Sequence, residues 1–206
     1  MAEKANKVKF NLKNTHYSLL TISEDGTPTF GTPVPMPGSV SISLDANGEP
    51  ENFYADGGVY YVINNNCGYD GDLELALIPE SFRTDVLKET LDSKGVLIEN
   101  SEVELAAFAL LFEFDGDQKH IRHVLYNCSA SRPGIEGKTN EDSKEVQTEK
   151  LSLKAVPLAN GMVKAKTGNT TDATTYADWY KAVYVPVAES DAATQSAAKP
   201  AKSVKE

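Results

Sequence analysis

Alternating apolar and polar residues are the dominant pattern of this chain, and a period of two is typical of half-buried β-strands. Four segments show it most clearly, with mostly Ser, Asn, Glu and Lys between their apolar positions. They predict sheet strands with one face on a core and the other towards solvent. The inward-facing sets predicted for them are Val8, Phe10 and Leu12; Val40, Ile42 and Leu44; Leu73, Leu75 and Leu77; and Leu151, Leu153 and Ala155.

Two further segments, 59–63 and 106–114, carry apolar residues on both strand faces. Strands of this kind are usually covered on both sides. In an antiparallel protein the cover can come from a second sheet, from a helix or from another subunit. The Asp115-Gly116 pair lies between apolar runs and predicts a hairpin after the second segment.

Two long segments lack strand or helix patterns. Residues 23–38 hold four prolines and three glycines, which are unsuited to a sheet interior, and they predict a long projecting loop. Residues 131–145 predict a second long loop, which is polar. Loops of this length are uncommon in compact domains and often have a function.

Two helices are predicted, over 79–91 and 171–183. The first begins with Pro79 and Glu80, which favour a first helical turn. The second has Asp172 as its N-cap and a stripe of Tyr and Trp side chains facing the core. The fold class predicted is mainly β (α+β), an antiparallel β-sandwich or barrel-like domain over 1–185 with one or two flanking helices. Residues 186–206 are poor in apolar residues and predict a disordered tail.

The charge of the chain narrows the choice of function. Its 206 residues include 30 acids and 20 bases, a net charge of −10 at pH 7. No basic block is present to replace phosphate counterions, which makes sequence-specific nucleic-acid binding improbable. No apolar run has the length of a membrane helix, and the N-terminus lacks a secretory pattern. The cysteines, Cys67 and Cys128, are therefore expected to be reduced thiols of a cytoplasmic product.

Candidate chemistry is sparse. His120 and His123 are three residues apart, so on one strand they point to opposite faces and cannot share a metal. Cys67 has no neighbouring base to lower the pKa of its thiol. The acidic run at 70–74 lacks the spacing of a calcium loop and is better explained as a turn entering a strand. The run GIEGKT at 134–139 lacks the glycine spacing of a phosphate loop.

These negatives leave no predicted catalytic, cofactor-binding or metal-binding residue, and they favour a binding or assembly protein over an enzyme. Two interpretations from other classes stay open. One is a baseplate or receptor-binding β-sandwich that binds host saccharide, although the single Trp179 belongs to a helical stripe. The other is a small enzyme on a β-barrel.

Several long blocks of the chain resemble the major tail proteins, or tail tube proteins, of long-tailed siphophages and prophages of Gram-positive bacteria. The resemblance spans roughly residues 5–184. It is carried by FYADGGVYYVINNNCGYDGDLELALIPESFRTDVLKETLDSKGVLIEN at 53–100, FALLFEFDGDQKHIRHVLYNCSASRPGIEGKTNEDSKEVQTEKLSLKA at 108–155, VKAKTGNTTDATTYADWYKAVY at 163–184, and the opening VKFNLKNTHY and FGTPVPMPG.

The resemblance implies a structural virion protein without catalysis or cofactor. In that family, six subunits form a ring, and stacked rings make the hollow tail. The tube grows around a tape-measure protein, and tail terminator and distal tail or baseplate proteins are further partners. DNA passes through the lumen without specific binding. The implied location is the virion tail, after assembly in the host cytoplasm.

An assembly role directs attention to the two loops and to the two-faced strands 59–63 and 106–114. Such strands can bury their second face against neighbouring subunits, and prolines keep a projecting segment from pairing promiscuously. An acidic lumen would repel DNA phosphates over about 8 Å at physiological salt. The candidate assembly residues are Pro28, Phe30, Pro33, Pro35, Met36, Pro37, Arg132, Pro133 and Ile135.

Overall fold

The computed structural model describes residues 5–140 and 144–186. Almost all of its regular structure is antiparallel β-sheet, as the alternation predicts. The two helices, α1 (Glu80–Asp85) and α2 (Ala173–Asp178), are short. The strands are β1 (Lys9–Ile22), β2 (Pro28–Phe30), β3 (Val34–Pro35), β4 (Ser39–Asn47), β5 (Glu51–Ala55), β6 (Gly58–Ile63), β7 (Gly68–Leu75), β8 (Thr90–Leu91), β9 (Leu97–Ile98), β10 (Phe108–Gly116), β11 (Ile121–Ala130), β12 (Glu149–Ala155) and β13 (Lys164–Lys166).

One large sheet organises the chain. Its strand order is β2-β1-β10-β11-β12-β7-β4, with β3 added to β1 and β13 added to β11. The sheet curls until its last strand approaches β1, where the Ser39 hydroxyl donates a hydrogen bond to the Thr15 hydroxyl at 2.6 Å. The described residues thus form an incompletely closed, barrel-like sheet, and the mainly-β prediction is confirmed.

The interior of the curled sheet holds the larger hydrophobic cluster. Strand β10 supplies both this cluster and a second one outside the sheet, so its apolar residues are buried on both faces, as predicted. Its cover comes from its own chain, which removes 106–114 from the candidate subunit contacts. The main interior members are Tyr17, Met36, Leu73, Leu75, Phe82, Phe108, Leu110, Phe112, Leu125, Leu151 and Leu153.

Helix α1 packs its one fully buried side chain, Phe82, into this interior. The Phe82 ring meets the rings of Tyr17 and Phe108 edge to face, at centroid distances of 5.2 and 5.3 Å. Such pairs add about 0.5–1.5 kcal/mol to the burial of the rings themselves. The Tyr17 hydroxyl also donates to the Asp85 carboxylate at 2.8 Å, which fixes α1 over the sheet.

The α2 segment covers the outer face of β10 and β11. Asp172 caps the helix by accepting the backbone N–H groups of Thr174 and Thr175 at 3.0 and 2.9 Å, which confirms the predicted N-cap. Trp179 and Val183 follow the helix and are buried in the outer cluster. The helix itself is shorter than the predicted range 171–183.

A buried ion pair ties this segment to the sheet. The carboxylate of Glu113 accepts hydrogen bonds from Arg122 Nε at 3.0 Å, Asn14 Nδ2 at 2.7 Å and the Tyr180 hydroxyl at 3.2 Å. The Arg122 guanidinium lies 3.9 Å from the centroid of the Tyr176 ring and donates to the backbone carbonyl of that residue. A buried carboxylate with this many donors is satisfied rather than reactive.

The predicted inward faces are right in strand interiors and wrong near strand ends. Leu73, Leu75 and the β12 residues are buried, whereas Val8, Phe10 and Val40 are more than half exposed. The register of β1 shifts twice before His16, at positions where Asn11 and Asn14 have positive φ, and each shift breaks the alternation. Leu77 is 71% exposed because β7 has already ended at Leu75.

The prediction that residues 23–38 form a projecting loop is wrong. Strands β2 and β3 fold back and pair with β1, at Leu20–Ile22 and at His16–Tyr17. The Met36 side chain is only 1% exposed within the interior cluster, and its N–H donates to the Thr15 carbonyl at 2.7 Å. Prolines are tolerated here because both strands are short pieces at the margin of the sheet.

The predicted helix 79–91 stops early. Its start at Pro79 and Glu80 and its buried Phe82 and Val86 agree with the prediction. Lys88 then takes a positive φ of 60°, which ends the helical path, and Thr90–Leu91 pairs with Leu97–Ile98 as a small hairpin.

Two predictions fall partly outside the described residues. The tail 186–206 lies beyond them after Pro186, and the loop 131–145 is described only at 131–140 and 144–145. Within those parts the loop is without helix or strand and is largely exposed. Among the described residues, none belongs to a helix that is long and apolar enough to cross a membrane.

Candidate assembly surface

The hairpin of β5 and β6, residues 51–63, carries a contiguous set of exposed apolar residues and is called the arm below. Every residue of β6 is exposed, and the Tyr60 side chain reaches 72%. Isolated exposed apolar residues are ordinary, but a contiguous set of this size marks an interaction site. The exposed large apolar residues of the arm are Phe53, Tyr54, Val59, Tyr60, Tyr61, Val62 and Ile63.

A tight turn builds the arm. Asp56 and Gly57 at its tip have φ of 52° and 80°, the pair of positive values that two-residue hairpin turns require. Phe53 then lies opposite Tyr61, and Tyr54 opposite Val59, with a bulge between the two pairs. Sequence reasoning placed a strand at 59–63 but missed this hairpin. The Asp-Gly signal that it used at 115–116 is also present at 56–57 and would have found it.

The arm continues the ladder between β4 and β7. The last pair of that ladder is Asn47 with Gly68, and the N–H of Cys67 still donates to the Asn47 carbonyl at 2.9 Å. Gly48 and Gly68 stand at this base with positive φ, and a Cβ on Gly68 would overlap the carbonyl of Ala155. Glycine is therefore required where the arm leaves the sheet.

Both faces of the arm are uncovered. The expectation that strand 59–63 is covered on two sides is not met within the described residues, since all six residues of β6 are exposed. A two-stranded hairpin is only marginally stable alone in water. A partner outside the chain would therefore stabilise the arm as well as bind it.

The side chains of the arm are acidic where they are charged. Glu51 and Asp56 are its ionisable acids, and the segment 51–63 contains no Lys, Arg or His. Two arms therefore repel one another electrostatically at neutral pH, and a cationic surface is the complementary one.

A second surface, called the polar face below, is the outward side of β4, β7 and β12. Three cross-strand rows compose it, and none contains an apolar side chain. Four carboxylates and two lysines give it a net negative charge. The rows are Ser41, Glu74 and Lys150; Ser43, Asp72 and Ser152; and Asp45, Asp70 and Lys154.

Hydrogen bonds order the carboxylates of the polar face. Asp72 contacts Lys150 Nζ at 2.8 Å and accepts from the Ser152 hydroxyl at 2.7 Å, and these contacts lower the pKa of its carboxyl. Glu74 accepts from the hydroxyls of Thr148 and Ser41, which lower its pKa as well. These contacts favour the ionised form of the Asp72 and Glu74 carboxyls and hold the two side chains in place.

A gap separates β4 from the first half of β1, residues 9–14, and is called the seam below. The two strands meet at Ser39 and Thr15, and no strand of the described residues pairs with the outer edge of β4. A cavity of about 340 Å³ opens there. Its lining includes Ile42, Leu44, Phe114, His123, Lys9 and Lys164, and no carboxylate.

His123 forms part of the floor of the seam. Its ring stacks on Phe112 at a centroid distance of 5.1 Å and meets Phe114 edge to face. Burial is the main cause that lowers the pKa of His123 from 6.5 to about 4, with the charges of Lys166, Lys9 and Lys164 acting in the same direction. The imidazole is therefore neutral at neutral pH.

The lowered pKa of His123 predicts that the folded protein loses stability in acid. The folded pKa is depressed, so the unfolded chain binds the proton first, and stability falls as the pH drops from about 6.5 to about 4. The loss is at most about 3.5 kcal/mol, because the pKa falls from 6.5 to about 4 and each pKa unit corresponds to about 1.4 kcal/mol. His123→Phe keeps the aromatic contact and removes this titration. Urea unfolding at about pH 7 and about pH 4.5 should show a smaller acid loss in the variant, and an equal loss in both proteins would contradict the assignment.

Some of the predicted assembly residues are buried within the chain, and others are exposed. Pro33 and Met36 are buried within the chain, and Phe30 packs against Tyr126 at a ring distance of 6.0 Å, so these three serve the fold. Pro28 is half-buried in β2. Pro35 and Pro37 are exposed near the margin of the sheet.

The residues predicted from the second loop lie at a separate place. Arg132 Nη1 contacts Glu99 at 2.6 Å, and both side chains are about half exposed. Pro133 is half-buried, and Ile135 is fully exposed. Arg132, Ile135 and the exposed prolines of the first loop remain predictions as subunit contacts, and the loops do not join the arm in one patch.

The side chains that could form a metal or thiol site are already paired with other groups of the chain or buried. Ligand atoms of Glu113, Asp115 and His120 lie within 4.8 Å of one another, but Lys13 Nζ contacts Asp115 at 2.5 Å and Arg122 pairs with Glu113. Both carboxylates of the group are thus already paired with a cation of the chain. Cys128 is fully buried, which raises the pKa of its thiol to about 12.

Comparisons with known proteins show distant likenesses to solved structures. No protein family matches the chain, and no curated protein matches it in sequence. The chain is similar to one in a solved structure of the anti-feeding prophage cap, a tube-terminating cap, with 6% identity, a TM-score of 0.43, and 80% of this chain and 94% of that chain covered. It is also similar to one in the baseplate of the anti-feeding prophage, with 11% identity, a TM-score of 0.41, and 81% and 99% covered.

Proposed function

We propose that the chain is a structural virion protein, the major tail tube subunit, which polymerises into stacked hexameric rings that form a non-contractile tail. The observation that carries this proposal is the arm, an apolar hairpin with neither face covered by its own chain. An apolar surface of this kind requires a partner. The resemblance of the long sequence blocks to tail tube proteins makes further copies of the chain that partner.

The polar face supports the same proposal. A conduit for DNA needs a wall that is hydrated, lacks apolar patches and repels phosphate. The three rows around Asp72 contain no apolar side chain and carry a net negative charge, and hydrogen bonds hold the carboxylates of Asp72 and Glu74 in place. We therefore assign the outward side of β4, β7 and β12 to the lumen.

The partners of the tube follow from this proposal. They are a tape-measure protein within the growing tube, a terminator at one end and distal tail or baseplate proteins at the other. DNA passes without sequence-specific binding, and the polar face offers phosphates no cluster of cations. The proposal requires no catalytic group or cofactor.

Electron microscopy tests the function directly. Purified protein at high concentration is expected to form long tubes of uniform width with an axial channel, visible by negative staining. The arm drives this assembly by burying its apolar residues, so dilution should dissolve or shorten the tubes. Protein that stays monomeric at every concentration, and that also fails to assemble on a tape-measure protein, would refute the proposal.

A second candidate function is favoured by the exposed tyrosines of the arm. Aromatic side chains are the usual platform for saccharides, and Tyr54, Tyr60 and Tyr61 are each more than 60% exposed. The chain would then be a baseplate or receptor-binding module that grips host saccharide. A glycan array distinguishes the two functions, because selective binding by a persistent monomer supports the module and uniform tubes without glycan binding support the tube subunit.

A further inference from the structure

We propose that the cavity of about 340 Å³ beside His123 binds a small organic anion with an apolar body, of the size of a medium-chain fatty carboxylate. Strands β1, β4, β7, β10, β11 and β13 supply its lining, and most of the apolar lining belongs to the interior hydrophobic cluster. Binding at this site requires a single copy of the chain and is independent of tube formation.

The cavity lies at one end of the curled sheet. Strand β1 begins there at Lys9, and β4 ends there at Asn47. Strand β12 does not follow β11 to this end, since their ladder on β11 covers only 128–130, and the three residues of β13 pair with 123–125 instead. No described strand pairs with the other edge of β13. Interior side chains are therefore left uncovered at this end of the sheet.

The wall of the cavity suits an apolar body. Phe112 and Leu125 are almost fully buried, and Ile42, Leu44 and Phe114 are partly buried against the same cluster. The volume is at the lower end of the range for ligand pockets, ~300–1,000 Å³, and mouths of barrel-like sheets are a common place for them. The wall therefore selects a compact apolar group.

Two lysines stand at the cavity without a carboxylate partner. Lys9 Nζ lies 4.6 Å from the centroid of the Phe114 ring, and Lys164 Nζ lies 4.2 Å from the centroid of the Tyr69 ring. The Lys164 ammonium group also donates to the Tyr69 hydroxyl. Among the described residues, no carboxylate forms an ion pair with either lysine. An anionic head group can thus contact both ammonium groups without displacing an ion pair, and it is their electrostatic complement.

The surroundings of His123 favour an anion over a cation. Burial and the charges of Lys166, Lys9 and Lys164 lower the pKa of His123 to about 4, and Tyr69 is the other titratable group of the lining. An organic cation would meet the same lysine charges, and no carboxylate of the lining offsets them. A bound anion offsets these charges, so it should raise the pKa of His123 towards 6.5.

Alkanesulfonates test the site, because their head group stays ionised throughout the pH range of the measurement. Octanesulfonate, below its micelle concentration, is titrated by calorimetry into the full chain at a protein concentration too low for tubes. Each methylene buried in the cavity should strengthen binding about fourfold, so octanesulfonate should bind roughly fifteenfold more tightly than hexanesulfonate. Octanol and octyltrimethylammonium carry the same chain without the negative charge and should bind at least about fivefold more weakly.

Two variants remove the charges and keep apolar side chains of similar length. Lys9→Met and Lys164→Met are substitutions at exposed residues, so both proteins should fold, which circular dichroism checks. Each should weaken octanesulfonate binding about fivefold, the upper end for an exposed ion pair, and leave octanol binding unchanged. Lys94→Met, at an exposed lysine of the β8–β9 turn, is the matched control and should bind as the unchanged protein does.

The imidazole signals of the histidines locate the bound anion. Saturating octanesulfonate should raise the pKa of His123 by about half a unit or more in an NMR titration. The ring signals of His16 and His120 should not move, because neither residue lines the cavity. A bound anion that leaves the His123 signal unchanged would lie elsewhere and would overturn the assignment.

The remaining outcomes also decide against the site. Equal binding of octanesulfonate and octanol, or equal octanesulfonate binding by all three methionine variants, would show that the lysines do not recognise the head group. Loss of binding in the variant with Tyr54→Ser and Tyr60→Ser would place the anion on the arm. Flotation with phosphatidylglycerol vesicles without octanesulfonate binding would show a membrane surface as the partner. Each of these results leaves tube formation, which electron microscopy measures, unaffected.

Discussion

The variant with Tyr54→Ser and Tyr60→Ser is expected to remain a folded monomer under conditions in which the unchanged protein forms tubes. Aromatic residues at the centre of an interface commonly contribute about 2 kcal/mol or more each. Loss of two such residues, about 4 kcal/mol, raises the concentration needed for assembly by about three orders of magnitude. Sedimentation over a concentration series, with negative-stain images of each fraction, measures the change.

The same substitutions should leave folding unaffected. Both tyrosines are more than 60% exposed, and surface substitutions usually change the free energy of unfolding by less than about 0.5 kcal/mol. Val96→Ser, at an exposed apolar residue of the β8–β9 turn, is the matched control and is expected to assemble normally. Tubes of the tyrosine variant at the usual concentration would show that the arm is not an assembly element.

The largest expected change in stability follows Phe82→Ala. Phe82 is fully buried between Tyr17 and Phe108, and α1 has no other fully buried side chain. Truncation of a buried Phe leaves a cavity and costs about 3–5 kcal/mol of the free energy of unfolding. Urea unfolding followed by circular dichroism measures this loss as a lower midpoint with an unchanged slope.

Phe53→Ala provides the matched control for this measurement. The substitution is chemically identical, but Phe53 lies on the arm and is 55% exposed. The free energy of unfolding should therefore change by less than about 0.5 kcal/mol. Equal losses in the two variants would mean that the arm packs against the core in solution, contrary to the structure.

Local sequence signals predicted the parts of the fold that local physics decides. Alternation gave the inward faces of β7 and β12, because each residue in a regular strand has only two directions available. Asp172 was identified as an N-cap because its carboxylate can accept the free N–H groups of a first helical turn. The hairpin predicted after segment 106–114 is present, but Asp115 and Gly116 lie within β10 and the chain turns after them, at 117–120.

Features set by long-range contacts were not predictable in the same way. Nothing near Met36 in the sequence shows that the proline-rich segment folds back on β1, because that pairing is decided by the closure of the sheet. Positive φ at Asn11 and Asn14 displaces Phe10 from the core, although the letters alternate correctly. The pattern of strand 59–63 also could not distinguish cover by the same chain from cover by another molecule.

The candidate assembly surface was also predictable from the sequence only in part. The apolar residues of the arm were visible in the sequence, and the Asp56-Gly57 turn was there to be found. The seam was not visible, because Lys9, Ile42, Phe114 and Lys164 come from four separate strands. The order of the polar face was also hidden, since each row combines three strands that are distant in the sequence.

The attachment of the arm through its base alone has an evolutionary consequence. No side chain of the arm belongs to either hydrophobic cluster, and the glycines at Gly48 and Gly68 fix where it leaves the sheet. Substitutions in the arm therefore change what it binds without lowering the stability that keeps the chain folded. Packing therefore constrains the residues of the barrel-like sheet, whereas only the binding partner constrains the residues of the arm.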